Sequence, residues 1–148
     1  ELVDAVADYV RLIAIPERAV VPGGAELFAE VGCAACHTPS LRTYDDWPIE
    51  PLAGIDAPIY SDLLLHDLGP DASDGLVDGD AGPSEWKTAP LIGLRFLRSY
   101  LHDGRADTVE DAIVMHGGPG SEAEPSVVAF QHLSADDRGA LVRFVEAL

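Results

Sequence analysis

The amino-acid sequence predicts an all-α domain interrupted by one long irregular segment. Three observations predict it. Short stretches with apolar residues at helical spacing recur at both ends of the chain, and no period-two alternation marks a strand. Between them, residues 38–90 are rich in Pro, Gly and Asp and hold no sustained period.

The elements follow in order. Residues 1–15 place Leu2, Val6, Tyr9, Val10 and Ile13 on one helical face, and Pro16 stops the helix. ERAVVPGG reads as a linker, so residues 1–22 form an N-terminal helix with its connector and residues 23–148 the main domain. A short helix over 24–32, with Leu27, Phe28 and Val31 on one side, leads directly to Cys33. Order returns at 90–101, PLIGLRFLRSYL, read as a short helix ending in a turn at His102-Asp103-Gly104. Thr108 caps a helix through His116, with Asp111 as its capping partner and Gly117-Gly118 as its end. Ser134 caps a last helix whose Leu141, Phe144, Val145 and Leu148 form an apolar stripe.

At 148 residues, 47% of them hydrophobic, the chain can bury one real core. Only 7% are aromatic, a composition that suits a core completed by a bound group. An irregular span as long as 38–90 is unusual in a compact domain, and a large prosthetic group gives it something to wrap. No apolar run reaches membrane-spanning length. The chain starts at Glu1 and is read as processed or as one piece of a longer protein.

The chemistry concentrates in Cys33-Ala34-Ala35-Cys36-His37, and these are the only two cysteines. C-x-x-C-H is the pattern of covalent haem attachment: two thiols add across the vinyl groups, and the next residue's imidazole reaches the iron. A zinc site would need two further ligands, yet none of His66, His102, His116 and His132 are paired at short spacing. A redox dithiol would need a βαβ context that the chain lacks. The expectation is one haem c on Cys33 and Cys36, with His37 as proximal ligand. Because such haems are attached outside the cytoplasmic membrane, a periplasmic or extracellular location follows. The net charge of −17 argues against nucleic-acid binding and suits a basic redox partner, a cation site or solubility alone.

For the other face of the iron the candidates are His66, His102, Met115, His116 and His132. Val109, Ala112, Ile113 and His116 share one helical face, an apolar stripe ending in an imidazole, so His116 is favoured and Met115 is the alternative. His102 lies in a turn, His66 follows a run of leucines, and His132 borders the last helix.

Almost the whole chain resembles the C-terminal haem domain of the di-haem oxidoreductases, also called thiol oxidoreductases, which are related to bacterial di-haem cytochrome c peroxidases and to MauG. The segments that carry the likeness are LFAEVGCAACHTPSLRT, IYSDLLLHDLG, SEWKTAPLIGLR, SYLHDGRADTVEDAI, MHGG and LSADDRGALVRFVEAL, in that order. The resemblance implies a cytochrome c-like fold and a distal ligand at His116. It also implies calcium through the carbonyls of a Thr-x-Pro element, matched here by Thr88 and Pro90. Family members carry two haem domains whereas this chain has one C-x-x-C-H, and residues 1–22 resemble the connector that leaves an upstream haem domain. Three functions follow as expectations: an electron-transfer domain with one six-coordinate, bis-His haem; the relay half of a peroxidase-like enzyme whose reactive haem lies elsewhere; or a haem-based ligand sensor.

Overall fold

A computed structural model describes residues 1–148. Five α-helices are present: α1 (Leu2–Arg11), α2 (Gly24–Glu30), α3 (Val109–Val114), α4 (Glu124–His132) and α5 (Ala135–Ala147). Four short strands pair as two antiparallel ladders. β1 (Leu41–Arg42) pairs with β2 (Asp56–Ala57), and β3 (Leu65–Asp67) pairs with β4 (Glu85–Lys87), with His66 opposite Trp86.

The expectation of an all-α chain is therefore wrong. Within 38–90 the prolines and glycines prevent helix, but the backbone groups still need partners, and short ladders supply them between residues up to 22 apart. The expected helix at 90–101 is also absent, reduced to a single 3₁₀ turn at Leu94–Phe96. Its backbone donors are used elsewhere: Leu91 N–H bonds the Ile59 carbonyl and Gly93 N–H the Leu148 carbonyl, at 3.0 and 2.9 Å. Conversely α4 had no counterpart in the sequence reading. Pro125 opens it, and Val127 and Phe130 face inward.

The core is small. Phe28 and Val31 meet Val109, Phe130, Leu141, Phe144, Val145 and Leu148, so α2 lies on α5 with α3 alongside. The caps at Thr108 and Ser134 form as expected, each hydroxyl accepting the N–H three residues on, at 3.0 and 3.2 Å. Phe28, Tyr60 and Phe144 pack edge-on with ring centroids 5.6–6.0 Å apart. Outside this core, α1 buries none of its residues, and its apolar stripe faces solvent, with Leu2 79% and Tyr9 71% exposed.

Gly24 lets α2 approach α5 closely, because a Cβ there would overlap the Phe144 side chain. Gly24→Ala is expected to lower stability by about 1–3 kcal/mol through overpacking, despite alanine's better helix propensity. Urea unfolding of the two proteins checks it, and an unchanged midpoint would contradict the close approach.

Candidate functional site

After α2 the chain turns at Gly32, left-handed at φ 92°, and closes a 3₁₀ turn over Cys33–Ala35. His37 N–H bonds the Cys33 carbonyl at 2.9 Å, so both thiols and the imidazole leave one tight turn. All three side chains line a mostly apolar cavity of about 480 Å³, within the roughly 300–1,000 Å³ typical of cofactor sites. A second, more open groove of about 780 Å³ lies between residues 11–15 and 42–58 and contains no Cys or His.

His37 is oriented from two sides. Its Nδ1–H donates to the Tyr60 carbonyl at 3.0 Å, and its ring meets Phe28 edge-on at 6.5 Å. Burial lowers its pKa, opposed by the Tyr60 bond and assisted by nearby His116, so the neutral, ligating imidazole is favoured. His116 repeats the pattern: its Nδ1–H donates to the Ala112 carbonyl at 2.6 Å. In both rings Nε2 has no protein partner and keeps its lone pair, as a metal-ligating histidine requires.

The two rings stand 6.4 Å apart, centroid to centroid. Two metal–imidazole bonds of about 2.0 Å plus two ring radii of about 1.1 Å span nearly the same length. The donor set therefore fits one metal held between the imidazoles, in the cavity that both thiols line. Val109, Ala112 and Ile113 line the same cavity as His116, as their shared face predicts. α3 itself stops at Val114, earlier than expected, with Met115 as C-cap and His116 in the following turn. Met115 also lines the cavity but is 41% exposed.

Neither thiol is shifted toward the thiolate. Burial pushes Cys33 up to about 11, and Cys36 is raised by burial and by Asp62 and Glu122, whereas reactive C-x-x-C thiols are depressed.

Of the remaining histidines, His66 and His102 line the same cavity and His132 does not. His132 is exposed and bonds the Val128 carbonyl. His102 stacks on Trp86. His66 lies between two carboxylates, with Nε2 2.8 Å from Asp62 and Nδ1 2.8 Å from Glu122, leaving no nitrogen free. Cys36, Asp62 and His66 are the one trio of His, Cys, Asp or Glu side chains in mutual reach. The Thr88 carbonyl already accepts the Ser61 hydroxyl at 2.7 Å.

The His66 network makes a pH prediction. Bonds to Glu122 and Asp62 raise His66 above its ordinary 6.5. Burial pushes Asp62 up, but bonds from Leu64 N–H, His66 and Thr88 outweigh it and hold Asp62 at about 2. The His66 bond also lowers Glu122 from 4.5. The raised histidine contributes fully below pH 6.5 and is lost as pH rises through its folded value; the carboxylates contribute fully above their ordinary 3.8 and 4.5 and are lost on acidification. Wild type should thus exceed His66→Gln most in melting temperature between about pH 4.5 and 6.5. A difference that stays flat from pH 3 to 9 would exclude the network.

Sequence reasoning missed Tyr60, Trp86 and Glu122. Tyr60 acts through its carbonyl, for which no side-chain pattern exists, and Glu122 reaches His66 across 56 residues.

The family model described as "Di-haem oxidoreductase, putative peroxidase" matches residues 1–148. Methylamine utilization protein MauG of Methylorubrum extorquens is 30% identical over 137 residues, covering 85% of this chain and 33% of MauG. The chain thus spans about one third of that relative's length. A solved structure of Kuenenia stuttgartiensis hydrazine synthase superposes with a TM-score of 0.60 at 22% identity, over 98% of this chain and 54% of that one, a likeness of fold. The chain belongs to the di-haem oxidoreductase family.

Proposed function

We propose that this chain is an electron-transfer domain carrying one haem c, tethered by thioethers at Cys33 and Cys36, with His37 and His116 as the axial ligands. The observation that carries the reading is the pair of imidazoles, each tied at Nδ1 to a backbone carbonyl, with centroids 6.4 Å apart in the cavity that both cysteines line. When bound, haem supplies a one-electron carrier. The protein's part is orientation and exclusion. Tyr60 and Ala112 hold Nδ1 of His37 and His116, and with both imidazoles as ligands a bound haem would have no position left for peroxide or another small substrate. Calcium is not part of the proposal: no observation supports an ion at Thr88 and Pro90, and the Thr88 carbonyl accepts the Ser61 hydroxyl.

A second reading has specific support. The family match, the one-third coverage of MauG and the solvent-facing apolar stripe of α1 favour a relay half that feeds a reactive haem in another domain. Residues 1–22 would then be the connector, and the partner an upstream haem domain rather than a separate redox protein. No helix is long and apolar enough to cross a membrane. Covalent haem attachment would place the domain in the periplasm or outside the cell.

The test uses protein exported with a haem-attachment system. Denatured protein should carry haem mass on the polypeptide, and oxidised protein should show a low-spin bis-imidazole EPR spectrum. A bare polypeptide mass would refute the proposal, and a thioether–iron signature would transfer the distal role to Met115. Ready carbon monoxide binding by the resting protein would favour a ligand sensor instead. A second haem motif in the full reading frame would select the relay.

A further inference from the structure

Acidic residues outnumber basic ones 26 to 9 in this chain, yet the cavity lining reverses the balance. Glu122 is the only acid that lines it, and His66 already pairs with that carboxylate. Lys87 and Arg105 both line it. Arg105 is braced through Nε to Asp103 at 2.6 Å and through Nη1 to the Asp71 carbonyl at 2.9 Å, which leaves Nη2 without a protein acceptor. Lys87 is the sole lysine, and no hydrogen bond or ion pair within the fold engages its ammonium.

One contact holds the two cation-bearing segments together. Trp86, next to Lys87 in β4, stacks on His102 of the 102–105 turn at 3.6 Å and 15°. Trp86 Nε1–H donates to the Ala72 carbonyl at 3.1 Å, which locks the indole in place. Both rings line the cavity. An idle ammonium and an idle guanidinium edge are thus held at the rim of an apolar cavity, in a protein with few cations to spare.

We propose that Lys87 and Arg105 form a carboxylate-anchoring edge of the cavity and receive the propionate groups of haem; this rests on the haem reading above. A carboxylate held at an apolar cavity needs charged donors, and a guanidinium edge or an ammonium supplies them. The edge would set which way round the porphyrin lies. It would also raise the reduction potential, because nearby positive charge disfavours the ferric state.

The test compares covalent holoprotein of wild type, Arg105→Gln, Lys87→Gln and, as control, Arg98→Gln, an exposed arginine that does not line the cavity. Two quantities are read: the propionate-bending bands in resonance Raman, and the midpoint potential. Both cavity variants should shift the bands and raise the ferric-to-ferrous ratio at fixed potential about three- to tenfold, a tenfold change being about 59 mV for one electron. Arg98→Gln should do neither, and Arg105→Lys should restore part of the loss. Lys87 has no protein partner, so its variant keeps the test open should Arg105→Gln fold poorly. Propionate bands identical to wild type in both cavity variants would overturn the proposal, and a shift in only one would overturn the pairing. Wild type without covalent haem would overturn the haem reading and this edge with it, an outcome visible separately in the denatured-protein mass.

Discussion

His116→Ala is expected to open the iron. The variant should keep its covalent haem, lose the low-spin six-coordinate spectrum and bind carbon monoxide, with at least about a tenfold gain over a wild type that resists it. The reason lies in how little else can replace the imidazole. His66 has both nitrogens taken, His102 lines the cavity but is held in its stack on Trp86, and His132 bonds Val128 outside the cavity. Met115 is the neighbour with a ligating atom, so the double variant His116→Ala/Met115→Leu separates a rescued site from an open one. If Met115→Leu alone opens the iron while His116→Ala does not, the distal assignment moves by one residue.

The second large effect is expected from removing the tether. Cys33→Ala/Cys36→Ala should abolish covalent haem altogether. Stability should fall as well, since the cavity of about 480 Å³ adjoins the small core at Phe28, Val109 and Val145. A group bound a thousandfold above its dissociation constant contributes about 4 kcal/mol. Its loss should lower the melting temperature by about 8–16 °C in a chain of this size. A double variant that melts like holoprotein would mean that the fold does not depend on the group. Single variants should retain one thioether and intermediate stability.

What could be read from residue order was local. Cys33, Cys36 and His37 lie within one turn, so their joint action is written into five consecutive letters. The Val109, Ala112, Ile113 and His116 spacing is likewise local, within α3 and the turn that follows it, and those four side chains do line one cavity. The caps at Thr108 and Ser134 depend on residues three apart. Where the reading failed, the deciding partner was distant. Residues 90–101 have helix-forming letters, but their N–H groups bond Ile59 and Leu148. The β3–β4 ladder sets His66 opposite Trp86 with no alternating pattern to announce it, because three-residue strands are too short to show a period. α4 passed unread because its apolar residues fall in a short run without a clear stripe.

The sequence by itself determined that two thiols and a histidine leave one turn and that a second histidine ends an apolar face, since each pattern is encoded within a few residues. Only the tertiary structure decided which histidines remain free to ligate. That depends on which carbonyls and carboxylates, up to 56 residues away, reach a ring nitrogen, and for His102 on its stack against Trp86. It also decided that the cations Lys87 and Arg105 share one rim, because the Trp86–His102 stack closes a loop that no local pattern specifies.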